Sequence, residues 1–262
     1  MMRSLFVSAT GMGAQQRQID TVANNLANVD TVGYKKSRNN FQDLLYQIDR
    51  TAGSQSSQNT TVPVGIHSGH GVKHVSTEKI FTQGDMKNTR VELDIAIEGI
   101  GFFQILQPNG AIAYSRAGNF QRDQQGRVVT PDGFPVEPEI IIPEDARAVS
   151  VGMDGTVAVQ VGEETLPTPV GTIQLARFSN PAGLSPIGKN LFSPTVASGN
   201  AIVEIPGVNS MGTLVQGFLE MSNVSVVDEM INMIIAQRAY EINSKAIQTS
   251  DDMLQTANNI MR

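Results

Sequence analysis

The chain has 262 residues, 40% of them hydrophobic and 17% charged, with a formal net charge of −6. That length suffices for one or two domains with a sizeable core, and the negative balance argues against nucleic acid as a partner held by overall charge. There is no Cys, which excludes disulfides, thiolate metal centres, Fe–S clusters and Cys nucleophiles. Trp is also absent. No apolar run approaches the ~20 residues of a membrane span, so no membrane insertion is expected. The N-terminus carries one early Arg but neither a sustained apolar stretch nor a credible cleavage site, so the expectation is a chain without a cleaved signal peptide.

Taken in order, the first thirty residues carry a seven-residue rhythm: Leu5, Met12, Ile19 and Leu26, followed three residues later by Ser8, Gln15, Val22 and Val29. A heptad period predicts a helix that wraps on a partner. Residues 51–75 are polar, rich in Ser, Thr and Gly, and non-periodic, and read as a linker or long loop. From about Val75 to Val215 the period switches to two, as in 94–98 and 157–161. Asn109-Gly110, Asp132-Gly133 and Asp154-Gly155 suit tight turns. They predict hairpins of Phe102–Leu106 with Ala111–Ser115, and of Ala148–Gly152 with Thr156–Val161. After Gly217 there is neither Gly nor Pro, and Val226, Met233, Tyr240, Ile247, Leu254 and Met261 are again spaced by seven. Ala236, Asn243, Ser250 and Ala257 flank them, so the seam is thin and marginal alone. The expected fold is α+β: N- and C-terminal helices pairing as a coiled-coil-like domain, with an antiparallel β-rich domain inserted between them. The boundaries are 1–30 for the first helix, 31–75 for an extended segment, 76–215 for the β-domain and 216–262 for the last helix. The same pattern fits an ordinary amphipathic helix pair closing a globular domain.

Candidate chemistry is sparse. His67, His70 and His74 would align on a helix, but Gly65, Gly69 and Gly71 interrupt it, which leaves a polar loop with scattered histidines. Gly99-Ile100-Gly101 leads into another strand rather than the helix a dinucleotide site needs. Asp94 and Glu98 share one face of an alternating strand and read as solvated. The cluster Lys35-Lys36-Ser37-Arg38 is too small for a nucleic-acid footprint and reads as solvated or interfacial. No catalytic, cofactor-binding or metal site is expected.

NNLANVDTVGYKK at 24–36, with Asn24, Asn25, Asn28, Gly33 and Tyr34, resembles the N-terminal motif of bacterial flagellar rod and hook proteins. VQGFLEMSNVSVVDEM (215–230) and QRAYEINSKAIQTSDDMLQTAN (237–258) resemble that family's C-terminal segment, and LDIAIEGIGFFQI (93–105) the start of its β-domain. Within the family the wording is most similar to the distal-rod branch, whose insertion 46–72 resembles and which is implied to stiffen the subunit; proximal-rod and hook-type subunits are the alternatives. The resemblance implies a structural protein, not an enzyme. It would polymerise with itself into the hollow rod that crosses the periplasm in the flagellar basal body. Implied partners are proximal rod proteins, the hook protein, the P-ring and L-ring proteins and the flagellar type III export apparatus, with no nucleic acid and no cofactor. Leu5, Met12, Ile19, Leu26, Val226, Met233, Tyr240, Ile247 and Leu254 would form the assembly interface. Phe41 and Leu45 fit the family's export-gate pattern, or one turn of amphipathic helix. From other classes, a ligand-binding or enzymatic β-domain with helical oligomerisation arms, or a secreted adhesin, are the competing readings.

Overall fold

The helix-favouring ends and β-alternating middle recur in the computed structural model of the chain, which describes residues 2–57, 60–162 and 167–260. Helix α1 spans Met2–Ala27 and helix α2 spans Val226–Ile260; Met261 of the C-terminal heptad lies outside the described residues, as do 58 and 59 of the polar insertion. Helix α2 opens at Ser225 with Asp228 three residues on, a capping-box spacing, and Asp228 and Glu229 in its first turn complement the helix dipole.

By internal contacts the chain divides into two units. The first takes α1 through Leu26, then Ser37–Glu78, then α2 from Val226. The helices run antiparallel in heptad register. Ser4 Oγ lies 3.1 Å from Ser250 Oγ, a methyl on Gly11 would come 3.1 Å from the Asn243 amide, and Asn25 Nδ2 lies 3.4 Å from Glu229 Oε2. The small Ser4, Ser250 and Gly11 allow the close approach there. Strand Ser37–Asp43 pairs with Val72–Lys79, and Asn39 fastens it to α1 through Arg17 O at 2.9 Å and Thr21 Oγ1 at 2.8 Å.

The polar stretch 51–75 is not a loop. Tyr46–Arg50 pairs antiparallel with Ile66–Gly69, and Gln55–Ser57 with Thr60–Thr61, making a two-stranded ribbon. Every residue of Tyr46–Arg50 is exposed, so no apolar alternation marks the strand in the sequence.

The second unit comprises Ala27–Lys36 and Lys79–Ser225. Its seven-stranded sheet places the hairpin Phe102–Leu106/Ile112–Ser115 at the centre, with Leu191–Ser193 and Ser185–Gly188 on one side, Leu175–Arg177 and Ile202–Glu204 on the other, and Val136–Glu137 also paired with Phe102–Leu106. Both faces are covered. Phe103, Ile105, Ala113 and Leu175 join a core with Ile95, Ile97, Val157, Ile173 and Leu214. Phe102, Tyr114 and Phe192 face a second cluster of edge-on aromatic rings with Phe178 and Phe81. The predicted hairpin at Asp154-Gly155 is present as Ala146–Val151 with Thr156–Val161, extended by Thr168–Thr172. Residues 216–225 are not helical. Phe218–Glu220 pairs with Met86–Asn88, and Thr213–Gln216 with Ile95–Glu98, so the long helix begins only at Val226. Freedom from Pro permits a helix there, but the sheet partners win.

Candidate functional site

In the first unit, α1 buries Ser8, Ala14, Val22 and Asn25, and α2 buries Glu229, Ala236 and Ser250. The heptad residues Leu5, Met12, Ile19 and Leu26 are half-buried, as are Met233, Ile247 and Leu254, while Val226 and Tyr240 are exposed at 41% and 40%. The seam line of α2 is thus its small and polar one. Away from it, about 100–160° around the helix at about 100° per residue, lie Val227, Met230, Ile231, Ile234, Ile235 and Ile242, all at least half exposed. An apolar stripe of that length on a long helix is a surface built to be covered.

The motif residues are arranged by two different units. Asn25 acts in the first: its side chain donates to Ser37 O and accepts from Ser37 N–H, both at 2.9 Å, closing the turn between α1 and the next strand as a ladder pair would. Asn24 is exposed beside it. Asn28, Gly33 and Tyr34 belong to the second. Thr31 Oγ1 donates to Asn28 Oδ1 at 3.2 Å, and Thr31 N–H donates to Asn28 O. Gly33 has φ +69°, and a Cβ there would sit 2.5 Å from Ala117 N; both facts demand glycine. Tyr34 is buried under Lys79, whose Nζ lies 4.3 Å from the ring centroid.

Lys35 follows directly and corrects the solvated reading of the basic cluster. It is 1% exposed, with Nζ 2.5 Å from Glu220 Oε1 and 2.7 Å from Thr82 O. Glu220 Oε2 accepts from Arg116 Nε at 2.8 Å, and Oε1 from Gly84 N–H at 3.0 Å. Arg116 spends its other donors on Gly101 O and Gly99 O, so one carboxylate and three carbonyls surround two cations. Burial lowers the Lys35 pKa, against the pull of Glu220 and with a further push from Arg116. Nothing in the string KKSR distinguishes the buried lysine from its solvated neighbours; the Gly-Tyr before it is the only local sign of a docked segment. Asp94 also departs from expectation, being 8% exposed rather than solvated.

Phe41 lies on the strand Ser37–Asp43, not on a helical turn, edge-on to His74 at 5.7 Å, and Leu45 is 89% exposed. The three histidines are spread along strand and turn: His70 Nδ1 lies 3.0 Å from Leu45 O, and His74 Nε2 3.1 Å from Thr77 Oγ1. Among the described residues no group of three or more His, Cys, Asp or Glu could hold a metal ion, and no helix is long and apolar enough to cross a membrane.

Known proteins align with this arrangement in three blocks. Residues 5–35 match the family profile described as flagella basal body rod protein, 96–159 that of the flagellar hook protein FlgE/F/G D1 domain, and 215–260 that of the flagellar basal body rod FlgEFG protein C-terminal region. Among curated relatives, the flagellar basal-body rod protein FlgG of Borreliella burgdorferi is 51% identical with all of both chains aligned. That of Caulobacter vibrioides is 47% identical over 99% of each, and that of Bacillus subtilis 40% identical over the whole of both.

Proposed function

The chain belongs to the family of flagellar basal-body rod proteins, and on that premise we propose how it works: as a distal-rod subunit whose activity is polymerisation. It is a structural component of the flagellar basal body that assembles with itself and with other rod and hook components. The observation that carries the mechanism is the uncovered apolar stripe of α2, Val227 to Ile242. A heterologous contact that repeats without closing on itself builds an open helical filament. In that filament the stripe packs on neighbouring helix pairs, together with Val226, Tyr240 and the half-buried Leu5, Met12, Ile19, Leu26, Met233, Ile247 and Leu254. The paired helices form the wall of an inner tube around an export channel, and the β-rich unit an outer layer.

The finer reading follows the family. The subunit carries load rather than a reaction and is not an enzyme. It leaves the cell interior unfolded through the type III export apparatus, with Phe41 and Leu45 as the gate-recognised pair. The proximal rod and the hook abut its two ends, and the P and L rings surround it in the periplasm. The segment 46–72, which holds the strands Tyr46–Arg50 and Ile66–Gly69, is the stiffening insertion. Electron microscopy of basal bodies from a deletion strain complemented with a tagged copy tests this. The tag is expected on the distal rod; its absence from basal bodies, or normal rods in the deletion strain, would overturn the reading.

A further inference from the structure

The chain passes between the two units four times, after residues 26, 36, 78 and 225. Within the β-rich unit, the segments that lead to those passages are tied to one another by one polar network. Lys36 N–H donates to Asn223 Oδ1 at 2.8 Å. Asn223 Nδ2 donates to the carbonyls of Ile80 at 2.9 Å and Thr82 at 3.1 Å. Ile80 N–H donates to Lys36 O at 2.9 Å, and Lys79 Nζ to Lys35 O at 2.9 Å. Gly33 N–H donates to Glu220 O at 2.8 Å, beside the buried Lys35–Glu220 pair. The segments 27–36, 79–84 and 220–225 thereby cross-link each other, and they carry all four passages.

We propose that Asn223, with Lys79, Lys35 and Glu220, is a load-sharing clamp: force entering the β-rich unit through any one passage is spread over all of them. The inference rests on the reading of the chain as a rod subunit. Its physical basis is that apolar contacts are non-directional and slide, whereas hydrogen bonds hold only in a narrow geometry. Several in parallel across three segments yield together or not at all. Asn223 is the keystone, since its one amide spans two of the other segments.

The test uses the full chain in a complemented deletion strain and as purified protein. Asn223→Ala is expected to leave the thermal melt of the β-rich unit near that of the parent. Exchange of the Lys36 and Ile80 amides should become roughly tenfold faster, as for one lost tie. Rods should assemble and turn in dilute medium, but rotation of tethered beads should fail at a lower viscous load. Assembled rods that carry load like the parent would overturn the clamp. So would absent rods from a folded variant, which would make Asn223 an assembly contact. Should Asn223→Ala unfold the unit, Lys79→Met, which keeps the packing on Tyr34, carries the same expectation. The unaltered chain restoring rods is the control that separates failure of the clamp from failure of the rod reading.

Discussion

Glu220 shows how far one side chain governs the β-rich unit. Its carboxylate is fully buried and pairs with two buried cations at 2.5 and 2.8 Å. Removing one partner of such a pair costs about 3–5 kcal/mol, because the charge left behind has no solvent. Glu220→Gln is therefore expected to lose about that much in urea unfolding, and Lys35→Met less, since Arg116 keeps its carboxylate. The double variant should be clearly better than the sum of the two, a coupling that a cycle of four melts measures. A gentler effect belongs to Asp154. Its pKa is lowered by hydrogen bonds from the Thr156 N–H and hydroxyl. A folded value below the unfolded one favours the fold at pH above about 4, and that contribution is lost as pH falls through the folded value. Asp154→Asn should flatten the acid limb of stability below about pH 4, read as the urea midpoint against pH.

At the scale of elements, α2 offers a contrast between adjacent residues. Ile235 is 61% exposed in the chain, while Ala236 is 2% exposed on the seam with α1. Ile235→Asp should change the subunit's own stability by no more than ~0.5 kcal/mol. Covered by a neighbour, the same charge is buried unpaired at several kcal/mol, so sedimentation should show assembly abolished with the monomer's circular dichroism unchanged. Ala236→Asp should instead disturb the helix pair itself. Much of this architecture was legible in the residues. Heptads marked both helices, and Asn109-Gly110 and Asp154-Gly155 marked hairpins that the structure contains. The line of the seam was less so: the heptad stripe ran through Val226, Met233, Tyr240, Ile247 and Leu254 with Ala236 and Ser250 as its flanks, whereas the buried line of α2 is Glu229, Ala236 and Ser250. What could not be read follows from physical causes. The strand Tyr46–Arg50 is exposed on both faces, so it carries no period of two. Phe218–Glu220 is a strand only because Met86–Asn88, more than a hundred residues away, pairs with it. Lys35 is buried by a carboxylate 185 positions distant, and no local pattern encodes that partner.

Across the whole molecule, apolar burial is divided very unevenly. Apart from the Tyr34 and Val224 that belong to the β-rich unit, the buried apolar side chains among the described residues outside 95–219 are only Ala14, Val22 and Ala236. A fully buried Val contributes about 1.5–3 kcal/mol and Ala less, whereas ordering each helical residue costs about 1–2 kcal/mol of chain entropy. Backbone hydrogen bonds offset part of that cost, yet a helix within a protein gains its stability mainly from tertiary packing, and here the packing is thin. The β-rich unit is the opposite case, with a core running from Ile95 to Leu214 and covered on both faces of its central sheet. The subunit in solution should therefore behave as a folded β-rich unit carrying helices that form and dissolve, and the helices should become permanent when neighbouring copies cover the stripe from Val227 to Ile242. Hydrogen exchange measured by mass spectrometry on a proven monomer and on assembled polymer reads this directly. In the monomer, peptides from residues 2–27 and 226–260 should exchange within seconds to minutes, while those around 95–106 and 213–220 stay protected. In the polymer, both helices should gain protection together, because the polar seam between them and the apolar stripe outside it are needed at once. Full protection of the helices in the monomer would mean that the Ser4–Ser250, Gly11–Asn243 and Asn25–Glu229 contacts suffice alone, and that assembly joins rigid pieces rather than completing their fold.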